Sequence, residues 1–168
     1  MNGLYTEHCI KKNPSPLQRI GKFALIAVII LFFAGGFFLA SGILIFLGMA
    51  SIAAAYFLFP LFNIEYEYVF VDGQIDFDRI CGQEKRKTML RVDLDNIEIM
   101  APIGSHRLDS YRNQQGLTVK DFTSNTVPDN VYGLFTSREG NKIFVRFEPS
   151  EKMLDYSRQK APRKVFTD

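Results

Sequence analysis

The alternation of apolar and polar positions divides this chain into three unequal parts. From Phe23 to Ile64 there is no Asp, Glu, Lys, Arg or His, and Leu, Ile, Phe and Ala dominate. A charge-free stretch of that length predicts membrane insertion. It is several times longer than the ~7–15-residue apolar core of a secretory signal. As one straight helix it would reach ~60 Å, twice the ~30 Å hydrocarbon thickness of a bilayer. Two helices of ~20 residues joined by a tight turn fit instead. A break at Gly35-Gly36 would leave the first helix too short, whereas one at Ser41-Gly42 divides the run evenly. The expectation is therefore a hairpin with helices at about 18–39 and 43–62. The spacings Gly36-xxx-Ala40 and Ser51-xxx-Ala55 put small residues where helices approach closely, within the hairpin or between copies in a homo-oligomer.

After Ile64 the apolar period changes to two. Residues 64–71, "IEYEYVFV", and 75–80, "IDFDRI", alternate on either side of Asp72-Gly73, the strongest short hairpin signal a sequence offers. Further strands are expected at about 86–93 ("RKTMLRVD"), 96–101 ("NIEIMA") and 117–122 ("LTVKDF"), with another around Leu108–Arg112 inside a loop-like stretch. "VYGLFTS" (131–137) and "KIFVRFE" (142–148) flank Arg138-Glu139-Gly140-Asn141 as a second hairpin. The last element is a helix at about 150–161, with Ser150 as N-cap, Glu151 in the first turn and Pro162 as its stop. The chain thus reads as an arm (1–17), a two-helix membrane hairpin (18–63) and a mainly-β domain (64–168) of about six or seven antiparallel strands closed by a C-terminal helix.

Charge adds orientation. The net charge of +2 over 168 residues hides a basic flank to the first helix, Lys11, Lys12, Arg19 and Lys22 against Glu7, and a β domain close to neutral. A nucleic-acid-binding domain carries a basic surplus, so nucleic acid is set aside as a partner. The four cations flanking the first helix favour a cytoplasmic N-terminus. Two crossings return the chain to the same side, which predicts a multi-pass plasma-membrane protein with arm and domain both cytoplasmic; a single crossing would put the domain outside. The cysteines, Cys9 and Cys81, lack metal-type or redox-type spacing and read as unpaired thiols in a reducing compartment.

The segments "YEYVFVDGQIDFDRICGQEKRKTMLRVDLDNIEIMAP" (66–102) and, more weakly, "KAPRKVF" (160–166), behind a membrane hairpin, carry a resemblance. The layout resembles small membrane proteins of unknown function from anaerobic Gram-positive bacteria, with an N-terminal two-helix transmembrane hairpin and a pleckstrin-homology-like (PH-like) C-terminal domain. It covers nearly the whole chain and implies a PH-like antiparallel barrel capped by its C-terminal helix, with no activity attached. Inositol-lipid recognition does not carry over. That function needs cations around the loop between the first two strands, and here the loop is Asp72-Gly73, flanked by Asp76 and Asp78.

No HExxH, CxxC, Walker-type or GxSxG pattern occurs, and His8 and His106 stand far apart. The pairs Asp76/Asp78 and Asp93/Asp95 point to one face of a strand, outward if Ile75, Phe77, Val92 and Leu94 face the core; a solvated face outweighs catalysis or metal binding. Tyr66, Tyr68, Phe70 and Phe77 read as barrel filling before a ligand platform. Neither an enzyme nor a cofactor or metal site is expected.

The remaining feature is "GQEKRKT" (82–88). With almost no linker after the second helix, the first strand leaves the membrane surface and the second returns to it, which brings Lys85, Arg86 and Lys87 back to the headgroups. The loop after the fourth strand, with Arg107 and Arg112, is expected there too. Each cation near an anionic surface contributes about 1 kcal/mol. The reading is a membrane-anchored, non-enzymatic binding or scaffold module that lays a basic loop on anionic lipid and meets a protein partner elsewhere. The alternative is a small accessory subunit that joins a membrane complex through its helices.

Overall fold

The computed structural model describes residues 3–82, 85–125, 130–138 and 140–167; Gln83 and Glu84 of the basic loop and Glu139 of the second hairpin turn lie outside them. The alternating segments form strands. In chain order these are β1 (Tyr5–Lys11), β2 (Ile64–Val71), β3 (Gln74–Cys81), β4 (Lys85–Asp93), β5 (Ile97–Pro102), β6 (Leu117–Asp121), β7 (Tyr132–Arg138) and β8 (Asn141–Phe147). They make two four-stranded sheets, ordered β1-β2-β3-β4 and β5-β7-β8-β6. The helices are α1 (Pro16–Phe38), α2 (Gly42–Leu58), α3 (Asp109–Arg112) and α4 (Glu151–Lys160).

Three expectations need correction. The strands form two sheets instead of one closed barrel; residues 64–168 hold seven described strands, within the expected six or seven, and the arm adds an eighth. The pairing is not wholly antiparallel, because β6 runs parallel to β8. No strand forms around Leu108–Arg112, where a 3-10 turn (His106–Leu108) leads into α3. Leu108 and Tyr111 are three apart and both pack on the outer side of the second sheet, so the local apolar period is helical.

The largest difference is β1. The arm, read as a basic cytoplasmic segment, is an edge strand paired antiparallel with β2 from Tyr5↔Val71 to Lys11↔Glu65. Its inward positions Thr6, His8 and Ile10 continue the inner face of the sheet, while Tyr5, Glu7, Cys9 and Lys11 face out. The β1–β2 unit is therefore a hairpin whose connection contains both apolar helices.

α1 starts at Ser15, whose hydroxyl accepts from the Gln18 N–H while the Gln18 side chain accepts from the Ser15 N–H; Pro16 supplies a preset first helical position. The turn at Ser41 falls where an even division of the apolar run puts it: Ala40 takes φ 49° and the Ser41 N–H donates to Gly36 O. Contact between the helices is set by glycine. A Cβ on Gly36 would lie 2.7 Å from Ile45 Cγ1, and one on Gly48 2.9 Å from Phe33 Cε2. Pairs 36/45 and 33/48 share one sum, so the helices run antiparallel. Gly48 takes the place expected for Ser51, whose hydroxyl donates to Leu47 O, and Ala40 lies in the turn rather than in the contact.

Between the sheets the core is aromatic. Tyr66, Tyr68, Phe70 and Phe77 are buried together with Phe122, Val145, Phe147 and Met153. Phe77 stacks on Phe122 at 5.0 Å and meets Phe147 edge-on at 5.2 Å, while Tyr68 packs on both Phe77 and Phe147. The four aromatics thus fill the core and form no open platform. α4, capped by Ser150, drops Met153 into this core and sets Tyr156 against Phe70. The segment after it binds the free edge of β5, with Phe166 N–H donating to Met100 O and Met100 N–H to Lys164 O.

The Tyr68 hydroxyl donates to Phe122 O and accepts from the Glu148 N–H. Burial holds its pKa well above the ordinary phenol value of 10.0. Above that pH the unfolded chain releases this proton and the folded chain keeps it, so the unfolded state binds fewer protons and stability falls. Thermal melts above pH 10 are expected to drop steeply in the wild type and more shallowly in Tyr68→Phe; equal slopes refute the assignment.

Candidate functional site

The first candidate surface lies where helices and sheet join. α2 continues into a 3-10 turn, Phe59–Phe62, and Asn63 alone separates it from β2. Both strand ends are fastened here, with Lys12 N–H donating to Ile64 O and Gly82 N–H to Asn63 O, each at 2.9 Å. Gly82, at φ 61°, lies so close to Pro60 that a Cβ would sit 2.7 Å from it. The β3–β4 loop thus touches the helix end. Lys85 stands opposite Cys81 and Lys87 opposite Arg79, both exposed. Lys12 Nζ is 3.1 Å from the Tyr66 hydroxyl, Lys22 Nζ lies 5.6 Å from the centre of the Phe59 ring, and Arg19 borders a neighbouring cleft with Asn13, Pro14 and Asn125. Lys11, facing out, lies across from Glu65.

The structure does not assemble all the expected cations at this foot. Arg86 is engaged across the outer face of the first sheet, 2.6 Å from both Asp78 and Glu67. Asp78 is 4 % exposed, so it is not the solvated carboxylate that the alternation implies. A bulge between Phe77 and Asp78 resets the β3–β4 register, and the ion pair follows from it. Two residues on, Arg91 grips Asp76 with Nε and Nη2, at 2.8 to 3.1 Å. Arg107 lies 4.3 Å over the Phe166 ring, and Arg112 ends α3 on the outer side of the second sheet. The five cations therefore belong to three places.

The outer face of the first sheet is acidic. Glu7, Glu65, Glu67, Asp76 and Asp78 share it with Lys11, Arg86 and Arg91. Cys9 stands among them, its Sγ 4.0 Å from Glu65 Oε2. Partial burial, followed by the fields of Glu65, Glu67 and Glu7, raises its pKa, so the thiol stays protonated and weakly nucleophilic at neutral pH. Tyr5 is raised as well, chiefly by its hydrogen bond to Glu7. Hydrogen bonds to Asp78 and Asp76 raise Arg86 and Arg91 respectively. Among the described residues no group of three or more His, Cys, Asp or Glu is placed to hold a metal ion.

Sequence reasoning missed a third feature, a cleft beside β6. Ile103, Arg112, Leu117, Val119, Phe144 and Arg146 line a volume of about 310 Å³. Its signal, the alternation Leu117-x-Val119 against Phe144-x-Arg146, becomes readable only once the parallel register is known.

Two sheets around an aromatic core, with a helix packed on them at the C-terminal end, define a PH-like class of domain. The chain matches the model of the family described as bacterial PH-like domain (DUF6106) over residues 2–167, and it belongs to that family. The match includes β1 and the apolar helices as well as the sheets. PH-like domains are in general non-enzymatic binding modules, and membership of this family suggests a binding or scaffold role. No curated protein and no solved structure matches it.

Proposed function

We propose that this protein is a membrane-anchored binding module: α1 and α2 both cross the bilayer, and the basic foot holds the β domain against anionic lipid on the cytoplasmic side. The observation that carries this reading is the pairing of β1 with β2 around the helix pair. Strands that pair must lie on one side of a membrane, so an even number of crossings must separate them. A single crossing by α1 is incompatible with that sheet.

Length and surface agree. α1 has 23 residues, about 35 Å of helix. α2 has 17, about 26 Å, and the 3-10 turn extends it by about 8 Å. Phe37, Phe38, Ile43, Phe46, Tyr56 and Phe57 are each at least 70 % exposed, a surface that lipid covers and water does not. Lys12, Arg19, Lys22, Lys85 and Lys87 then sit at the headgroup level, each contributing about 1 kcal/mol against anionic lipid. The acidic outer face of the first sheet is left for a basic protein partner. The accessory-subunit reading uses the same anchor and differs only in placing the partner contact on the helices.

Reporter fusions test the anchor. Green fluorescent protein at either terminus is expected to fluoresce, and alkaline phosphatase at either terminus to stay inactive. An active phosphatase at the C-terminus overturns the two-crossing arrangement. For the foot, replacing Lys12, Lys85 and Lys87 together by Gln is expected to remove the preference of the domain surface for anionic over zwitterionic nanodiscs, read as lipid-induced protection of the foot from amide exchange. Unchanged protection overturns the lipid contact.

A further inference from the structure

The cleft beside β6 is not explained by anchoring. β6 is the free edge of the second sheet, and its parallel register with β8 puts Leu117, Val119 and Asp121 on one face with Lys142, Phe144 and Arg146. The segment 103–116 covers the rest of that face. Leu108 packs there with Ile99, Ala101, Phe135 and Phe144, and Ile103, Tyr111, Leu117 and Phe166 lean on the same cluster. Gly133 makes this close approach feasible, since a Cβ there would lie 2.7 Å from both Leu108 and Phe144. Coverage ends at β8, and Val119 is left 56 % exposed at the mouth of the cleft.

Two guanidinium groups flank these apolar walls. Arg146 Nη1 is 3.1 Å from Asp121 Oδ2, which satisfies one of its nitrogens. Its Nε and the Nη2 of Arg112 are shielded from solvent, and neither has an acceptor among the described residues. Those two atoms are closed to a ligand as they are to water; the donors the cleft offers are the remaining N–H groups of Arg112 and Arg146, which both line it, and Arg146 keeps a part-exposed side chain. We infer that the cleft binds a small organic acid with one carboxylate and a compact apolar body. The carboxylate accepts from Arg112 and Arg146, and the body lies on Ile103, Leu117, Val119 and Phe144. A metal cation is excluded by the charge of the walls. A neutral molecule leaves the guanidinium nitrogens unmet, and an inorganic anion leaves the apolar walls wet. The volume of about 310 Å³ is at the small end for ligand sites, which favours a metabolite-sized acid. This site does not depend on the membrane reading.

The test uses the full chain in zwitterionic nanodiscs, with 3-phenylpropionate as probe and ligand-observed NMR as readout. Binding of the acid is expected to be at least about tenfold tighter than that of 3-phenylpropan-1-ol, acetate or inorganic phosphate. Arg112→Gln is expected to weaken it by about tenfold, and Val119→Trp, a change at a half-exposed edge position that fills the mouth, to abolish it. Equal binding of the alcohol overturns the anion contact. Equal binding of acetate or phosphate overturns the apolar contact. Unchanged binding in Arg112→Gln or Val119→Trp, or no binding of the acid at all, overturns the site.

Discussion

Deleting residues 13–63 and joining Lys12 to Ile64 through Asn-Gly is expected to yield a folded domain that needs no detergent. Lys12 N–H already donates to Ile64 O, so the strand ends are positioned for a two-residue turn, and Asn-Gly supplies the positive φ angles that such a turn requires. Both sheets, the aromatic core and α4 remain intact in that design. Residues 64–168 alone are expected to behave differently. Without β1 the edge of β2 is open along Ile64–Val71, and the packing of Leu4 and Ile10 on the core is lost. Dispersed amide NMR spectra from the joined protein, and aggregation of the shorter one, are the expected pair of results. A soluble, equally stable 64–168 fragment would show that β1 is dispensable and would remove the main support for two crossings.

Arg86→Gln is expected to cost about 2–3 kcal/mol, far more than Lys85→Gln or Lys87→Gln, each within about 0.5 kcal/mol of wild type. The three residues look alike in sequence. In the fold Arg86 faces Asp78, which is 4 % exposed, whereas Lys85 and Lys87 are exposed. Removing Arg86 leaves a carboxylate out of water with only the more distant Arg91, already held by Asp76, as counter-charge, and the exposed guanidinium side of the pair keeps the figure below that for a wholly buried one. A loss of that size lowers Tm by roughly 10 °C in a domain of this size. Adding Asp78→Asn to Arg86→Gln is expected to restore part of the loss, since the stranded charge is then gone. Equal melting temperatures for all three Gln variants refute the pairing. Any lipid-binding defect of Arg86→Gln should therefore be referred to stability before it is assigned to the headgroups.

Local pattern carried most of the elements. The change of apolar period at Ile64, the Asp72-Gly73 turn and the Ser150 cap each depend on neighbours in sequence, and each element they imply is present. Asp72 and Gly73 take φ 47° and 104°, the conformation this dipeptide favours. What was hidden depends on partners distant in the chain. "YTEHCIK" alternates, but its partner strand begins some fifty residues later, behind the helix pair, and its charges read equally well as a topogenic flank. The parallel β6–β8 pair left no local trace, so the cleft that it lines with Arg112 and Arg146 was invisible as well. Asp78 was assigned the right face and the wrong surroundings, because a bulge is a property of two strands.

The enclosure of two helices within one β-hairpin has a consequence for biogenesis. In the two-crossing arrangement proposed above, β1 is made before the helices and stays unpaired until both have been inserted and β2 has emerged beside it. On the two-crossing arrangement, a chain that inserts only one helix cannot complete its first sheet. Its β2 edge remains exposed on the wrong side of the bilayer, in a form that proteases and chaperones recognise. If both helices cross as proposed, the sheet would act as a proof of correct insertion, closing only on molecules whose membrane topology is right.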